Sequence, residues 1–100
     1  MNKVVYIFKK NGCPPCDRLL PFIQKIGSHY MNNEKVPHHN RVVTKIIDIS
    51  EGQGMALAAA YGVNATPTVL FLLNNEVVGR VDGGDQEKIE RFYYERLSTV

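Results

Sequence analysis

Two stretches of the chain are apolar without polar alternation, Val4-Val5-Tyr6-Ile7-Phe8 and Val69-Leu70-Phe71-Leu72-Leu73. Short runs rich in β-branched and aromatic side chains predict strands covered on both faces, and the first should lie inside its sheet. Arg41 to Ile49 alternates instead, with Val42, Thr44 and Ile46 on one face and Val43, Lys45 and Ile47 on the other, which predicts a third strand. Asn74-Asn75 suits a tight hairpin turn because Asn tolerates positive φ, so Glu76 to Val81 should return as the partner of the second apolar run.

The remaining pattern is helical. After a turn signal at Asn11-Gly12, the residues Cys16, Leu19, Leu20, Ile23, Ile26 and Tyr30 recur as one apolar stripe. Pro14 or Pro15 fits the first turn of that helix, whereas Pro21 falls inside it and should bend the axis. Met31 to Asn40 is polar, contains Pro37 and reads as one long exposed loop. Ser50 to Gly54 reads as a flexible lead into a short Ala-rich helix, Met55 to Tyr61, stopped by Gly62. Asp85 can cap a last helix from Gln86 to Leu97 that buries Ile89, Phe92, Tyr93 and Leu97. The order β-α-β-α-β-β-α predicts an α/β domain. A strand-helix-strand start makes a parallel pair and the hairpin adds two antiparallel strands, so the sheet is four-stranded and mixed, with helices on both faces.

Length and composition narrow the function classes. One hundred residues, 44% of them hydrophobic, close a single core, so residues 1–100 are expected to be one domain. No apolar run approaches the ~20 residues of a membrane span, and a soluble chain with no membrane partner is expected. A net charge of +2 gives no argument for a nucleic-acid partner. Residues 1–45 hold eight Lys/Arg against two acids and residues 46–100 four against eight, so one face should be more basic than the other. The apolar opening is shorter than a signal segment, which points to a cytoplasmic protein.

Chemistry concentrates in Cys13-Pro14-Pro15-Cys16. A two-residue spacer at a helix start after a buried strand lets the two sulfurs meet and leaves the first exposed at the positive helix end, where a thiolate is stabilised. Such a dithiol exchanges with disulfides: Cys13 attacks, a mixed disulfide forms, and the more buried Cys16 resolves it. The alternative is half a zinc site, but zinc needs four ligands and the further candidates, His29, His38 and His39, have no finger-like spacing. No metal is therefore expected. Gly52-Gln53-Gly54 lacks the strand-turn-helix fingerprint of a phosphate loop. Tyr30, Tyr61, Tyr93 and Tyr94 read as core or rim residues, and Gly83-Gly84 as a place where backbone or substrate comes close to the active face.

With these residues in view the chain resembles the thioredoxin family over nearly its whole length. The landmarks are the CxxC after the first core strand, Pro21 eight residues past Cys13, Ala65-Thr66-Pro67-Thr68 before a hydrophobic strand, the Asn75-Glu76-Val77-Val78 hairpin, and the sixteen positions from Pro67 to Gly83. By itself Pro67 would read as a trans proline opening a strand. The resemblance implies a thioredoxin-like fold, a cis Pro67 packed against the cysteine pair, and a Thr66 backbone that pairs an extended substrate segment. It thus groups Gly12, Pro14, Pro15, Thr66, Pro67, Gly83 and Gly84 as the substrate-binding rim around catalytic Cys13 and Cys16.

The resemblance further implies a protein-disulfide reductase without bound cofactor, active in cell redox homeostasis and electron transport. It would be recharged by an NADPH-dependent thioredoxin reductase and would act on cytosolic disulfide proteins such as ribonucleotide reductase. The alternatives are a glutaredoxin recycled by the glutathione system, which the short length favours, and a non-catalytic binding module. Two positions depart from the family. Gly12 stands where a Trp is usual and Ile7 where an Asp is usual, and Lys45 lies near the place of that Asp's lysine partner, where it is expected to be solvated. Pro14 and Pro15 contribute no N–H to a Cys13 thiolate and Asp17 adds negative charge, so a reducing couple is expected. Lys9, Lys10 and Arg18 oppose this weakly.

Overall fold

The computed structural model describes residues 2–32 and 42–97. Lys3–Lys9 forms β1, Pro14–Asn32 α1, Val42–Asp48 β2, Gly52–Ala60 α2, Thr68–Leu73 β3, Glu76–Asp82 β4 and Gln86–Phe92 α3, which continues into a single π-helical turn over Tyr93–Leu97. The four strands lie in the order β2-β1-β3-β4, with β1 parallel to β2 and antiparallel to β3, and β3 antiparallel to β4. The expected mixed sheet is therefore present, and β1 is internal. Asn74 and Asn75 both take positive φ, 52° and 70°, as a tight hairpin with right-handed strand twist demands.

Side-chain alternation divides the core into two layers. Val5 and Ile7 of β1, Val42 of β2, Val69 and Phe71 of β3 and Val81 of β4 meet Leu19 and Ile23 of α1 and Ile89 and Tyr93 beyond the sheet. On the opposite face Phe8, Leu70 and Leu72 meet Ala58 of α2 and Val63. Helices thus cover both faces. The second layer is thin, so α2 needs a polar tie: the Arg80 guanidinium, reaching from β4, donates to the carbonyl oxygens of Tyr61 (3.0 Å) and Gly62 (3.2 Å) at the α2 C-terminus.

Boundaries differ in three places. α1 runs on to Asn32, so Met31 and Asn32 are helical, while the rest of the expected loop lies outside the described residues. α2 begins at Gly52 rather than Met55, so the expected flexible lead is its first turn. Gly54 explains this, because its backbone lies against the Asp48 carbonyl of β2 and the turn is held by tertiary contact despite its glycines. The last helix is α-helical only to Phe92. There Phe71 stacks on Phe92 at 5.2 Å and meets Tyr93 edge-on at 5.3 Å, and the Tyr93 hydroxyl lies 3.2 Å from Thr44 Oγ1. Of the tyrosines, Tyr93 is buried, Tyr61 half-buried and Tyr94 exposed. The side chains of His29, Tyr30 and Leu97 fall outside the description, as do His38 and His39.

Candidate functional site

β1 delivers the chain to the cysteines at one end of the sheet. Lys10-Asn11-Gly12 turns it through Gly12, whose φ of +72° is open to glycine and strained for a bulky L-residue. That is a physical reason against Trp at this position. Cys13 immediately precedes α1, and its carbonyl accepts the Asp17 N–H at 3.1 Å as the helix's first hydrogen bond. Pro14 and Pro15 occupy the opening turn, where missing N–H groups cost nothing to the helix.

Cys13 and Cys16 are joined as a disulfide with their α-carbons 5.2 Å apart. Cys16 is 1% exposed, in keeping with its place one turn into α1. Cys13 is only 5% exposed, a correction to the expected open nucleophile. In the bridged state its sulfur is turned inward, accepting the Cys16 N–H at 3.2 Å and lying 3.5 Å from Thr66 Oγ1. The Thr66–Pro67 peptide is cis, Pro67 is buried and Thr66 half-buried.

Residues distant in sequence close around this pair. Gly83, at φ +96°, donates its N–H to the Pro67 carbonyl at 2.8 Å. A Cβ on Gly84 would stand 3.9 Å from both the Pro15 carbonyl oxygen and the Pro67 ring. The CxxC spacer, the cis-proline and the Gly-Gly segment therefore meet. Thr68 fixes the following strand start by donating from its hydroxyl to the Ala65 carbonyl at 2.8 Å. Exposed Gly12, Pro14, Pro15 and Gly84 frame the sulfurs with little charge. The Thr66 hydroxyl is the feature that sequence reading missed, since it treated Thr66 as a backbone contact. The signal was a hydroxyl-bearing residue directly before the proline.

Electrostatics around the site are muted. Lys9, at the end of β1, pairs with Asp48 of β2 at 3.7 Å, which commits its charge away from the thiol. Hydrogen bonds from the Ser50 hydroxyl and amide hold the Asp48 carboxyl below its usual range, with Lys9 adding a smaller attraction. Ile7 is buried in the larger core layer. Lys45 lies opposite Tyr6 in the β1–β2 ladder, hence on the other sheet face from Ile7, and is exposed as expected. No group of three or more potential metal ligands gathers among the described residues, and none of their helices is long and apolar enough to cross a membrane.

Comparison with known proteins places this geometry. The chain is similar to thioredoxin H4 of Arabidopsis thaliana, 28% identical over 90 residues that make up 89% of this chain and 67% of that one. It is 33% identical to the mitochondrial thioredoxin of Bos taurus over 89% of its own length and 48% of the relative's. The chain thus spans about half to two thirds of the length of these curated relatives. Among solved structures, the thioredoxin NaTrxh from Nicotiana alata superposes with a TM-score of 0.81 at 26% identity, covering 96% of this chain and 74% of that one. The thioredoxin family profile runs from residue 1 to residue 95, far past the cysteine segment, and on that extent the chain belongs to the thioredoxin family.

Proposed function

We propose that this chain is a thiol-disulfide oxidoreductase that reduces protein disulfides through Cys13 and Cys16. The observation that carries the reading is the Cys13–Cys16 bridge at the head of α1, set beside the cis Thr66–Pro67 peptide. In the reduced chain the Cys13 thiolate attacks one sulfur of a substrate disulfide. A Cys13–substrate bond forms, the substrate S–S bond breaks, and the departing thiolate takes a proton from solvent. Cys16 then gives up its proton and attacks Cys13 Sγ, so that the mixed disulfide breaks and the second substrate thiol leaves. Two electrons pass to the substrate and the Cys13–Cys16 bridge is restored.

Each rim residue has a part in this reading. The backbone of half-buried Thr66 pairs an extended substrate segment as an added strand, while Pro67 and the Gly83-Gly84 segment shape the floor and far wall. Gly12, Pro14 and Pro15 form the near wall. The absence of a Trp at Gly12 makes that wall low, which favours substrates that bring their own bulk. Residues 1–100 act as one catalytic domain. A reducing compartment, the cytoplasm in this reading, keeps the dithiol charged through an NADPH-dependent thioredoxin reductase. The substrates are cytosolic disulfide proteins of the kind regenerated in ribonucleotide reduction, and no cofactor is bound.

The test pairs the purified chain with a disulfide-containing protein and one recycling system at a time. Turnover with NADPH and thioredoxin reductase, lost in Cys13→Ser, supports the reading. Turnover with glutathione alone reassigns recycling to the glutathione system. Cys16→Ser should accumulate mixed disulfides, which also identify the substrate. Full biological effect in Cys13→Ser would replace the enzyme by a binding module.

A further inference from the structure

β2 is an outer strand of the sheet and pairs on one side only, with β1. Its register with β1 is unbroken, whereas β4, the other outer strand, shifts register opposite Phe71 and Leu72 and is tied to α2 through Arg80. The Ile49 N–H donates to the Lys9 carbonyl at 3.0 Å, so the odd-numbered residues of β2 turn their backbone groups toward β1 while Thr44 and Ile46 turn theirs outward. Those outward groups have no hydrogen-bond partner among the described residues. Val43 and Ile46 are 37% and 41% exposed and point to opposite faces of the sheet, since Val43 stands beside Val4 of the smaller core layer and Ile46 beside Ile7 of the larger one. A molecule lying on either face covers only one of them. A strand added at the edge covers both.

We propose that the outer edge of β2 accepts an extended segment of another protein, which runs antiparallel to it and sets an aspartate or glutamate opposite Lys45. Lys45 is exposed and forms no ion pair among the described residues. Because its backbone groups face β1, it takes a non-hydrogen-bonded position toward an antiparallel newcomer, where opposite side chains approach most closely. That position sorts occupants by charge. A second copy of this chain, pairing β2 with β2 over its full length, sets Lys45 against Lys45, and sliding the copies to separate the two cations shortens the pairing. An acid at the same place turns the repulsion into attraction, while aliphatic side chains two positions to either side cover Val43 and Ile47. The Thr44 and Ile46 backbone supplies affinity for any extended chain, and Lys45 supplies the choice. This surface does not involve the cysteines and is independent of the exchange reading.

The probes are two end-blocked peptides as long as β2, each alternating threonine and valine, one with glutamate at its centre and one with lysine there. Each is titrated into the isotopically labelled, oxidised chain and followed by amide chemical shifts. The glutamate peptide should move the Thr44 and Ile46 N–H signals and bind about fivefold more tightly than the lysine peptide at low salt. The preference should fade at high salt. Lys45→Glu should invert it by a similar factor, and Lys45→Gln, which should bind the two peptides alike, keeps the test open if the glutamate variant does not fold. No binding of the glutamate peptide, equal affinity of the two peptides for the parent, a preference that survives both substitutions, or shifts that leave Thr44 and Ile46 unmoved overturns the proposal. Sedimentation of the chain without peptide should give a monomer. A dimer that the glutamate peptide cannot displace would assign the edge to a second copy and overturn the proposal as well.

Discussion

Gly54 in the first turn of α2 packs directly on the backbone carbonyl of Asp48 at the end of β2, leaving no space for a side chain. A helix and an edge strand of the sheet are brought together by the absence of a side chain. The neighbouring Gly52 meets nothing within 4 Å and is not in the left-handed region.

The two glycines should therefore respond oppositely to one methyl group. Gly54→Ala must push helix from strand and should cost about 2–3 kcal/mol, the upper range for overpacking against rigid atoms. Gly52→Ala removes backbone freedom from the unfolded chain and should stabilise by about 0.5–1 kcal/mol. Urea denaturation of both variants checks the pair. A Gly54→Ala protein as stable as its parent would mean that α2 does not rest on β2 in this way.

The same contact explains why the start of α2 was hidden in the sequence. Local propensity makes Gly52-Gln53-Gly54 look flexible, and only the way the chain folds back on the end of β2, just before it in sequence, makes the second glycine a helix-packing residue. The internal strands were legible because β1 and β3 are buried on both faces and therefore lack alternation. Cys13, Cys16 and Pro67 were legible by spacing and resemblance. The Thr66 hydroxyl and the inward turn of Cys13 were not, because each depends on how β3 approaches α1 in space.

Arg80 should be a stability residue despite its exposed position. Its guanidinium bonds Asp82 at 3.0 Å while also holding the Tyr61 and Gly62 carbonyls. Arg80→Ala should lose about 1 kcal/mol, a figure reduced for the solvent screening of a side chain 37% exposed. Arg80→Lys should recover little of it, since an ammonium cannot present a planar fork to several acceptors. Thermal unfolding of the two variants decides this, and full rescue by Lys would reduce the tie to simple charge.

Lys3 gives the fold an alkaline signature. It opens β1 between Val42 and Leu73 in the ladders and is 1% exposed, and burial pushes its pKa below the ordinary 10.5. The folded chain thus holds this proton less tightly than the unfolded chain, which binds more protons throughout the window between the two values. Stability should rise with pH across that window and level off above about 10.5. In Lys3→Met this increment should vanish, so the urea midpoint of the parent should climb relative to the variant as the solution becomes alkaline. Parallel pH profiles would contradict it.

Restoring the family's usual acid at Ile7 should harm this chain. The side chain is 1% exposed and surrounded by Val5, Leu19, Ile23 and Val69 in the larger core layer. Lys45 cannot serve as a partner, because its ladder position opposite Tyr6 puts it on the other face. Ile7→Asp therefore places an uncompensated carboxyl among hydrocarbons and should cost at least about 3 kcal/mol at neutral pH. The buried acid would stay protonated to escape the charge while the unfolded chain's acid ionises, so the penalty should shrink as pH falls from neutral toward the ordinary carboxylate range. Denaturation at two pH values reads both effects. If Ile7→Asp were instead tolerated at neutral pH, the larger core layer would have to admit water at this position.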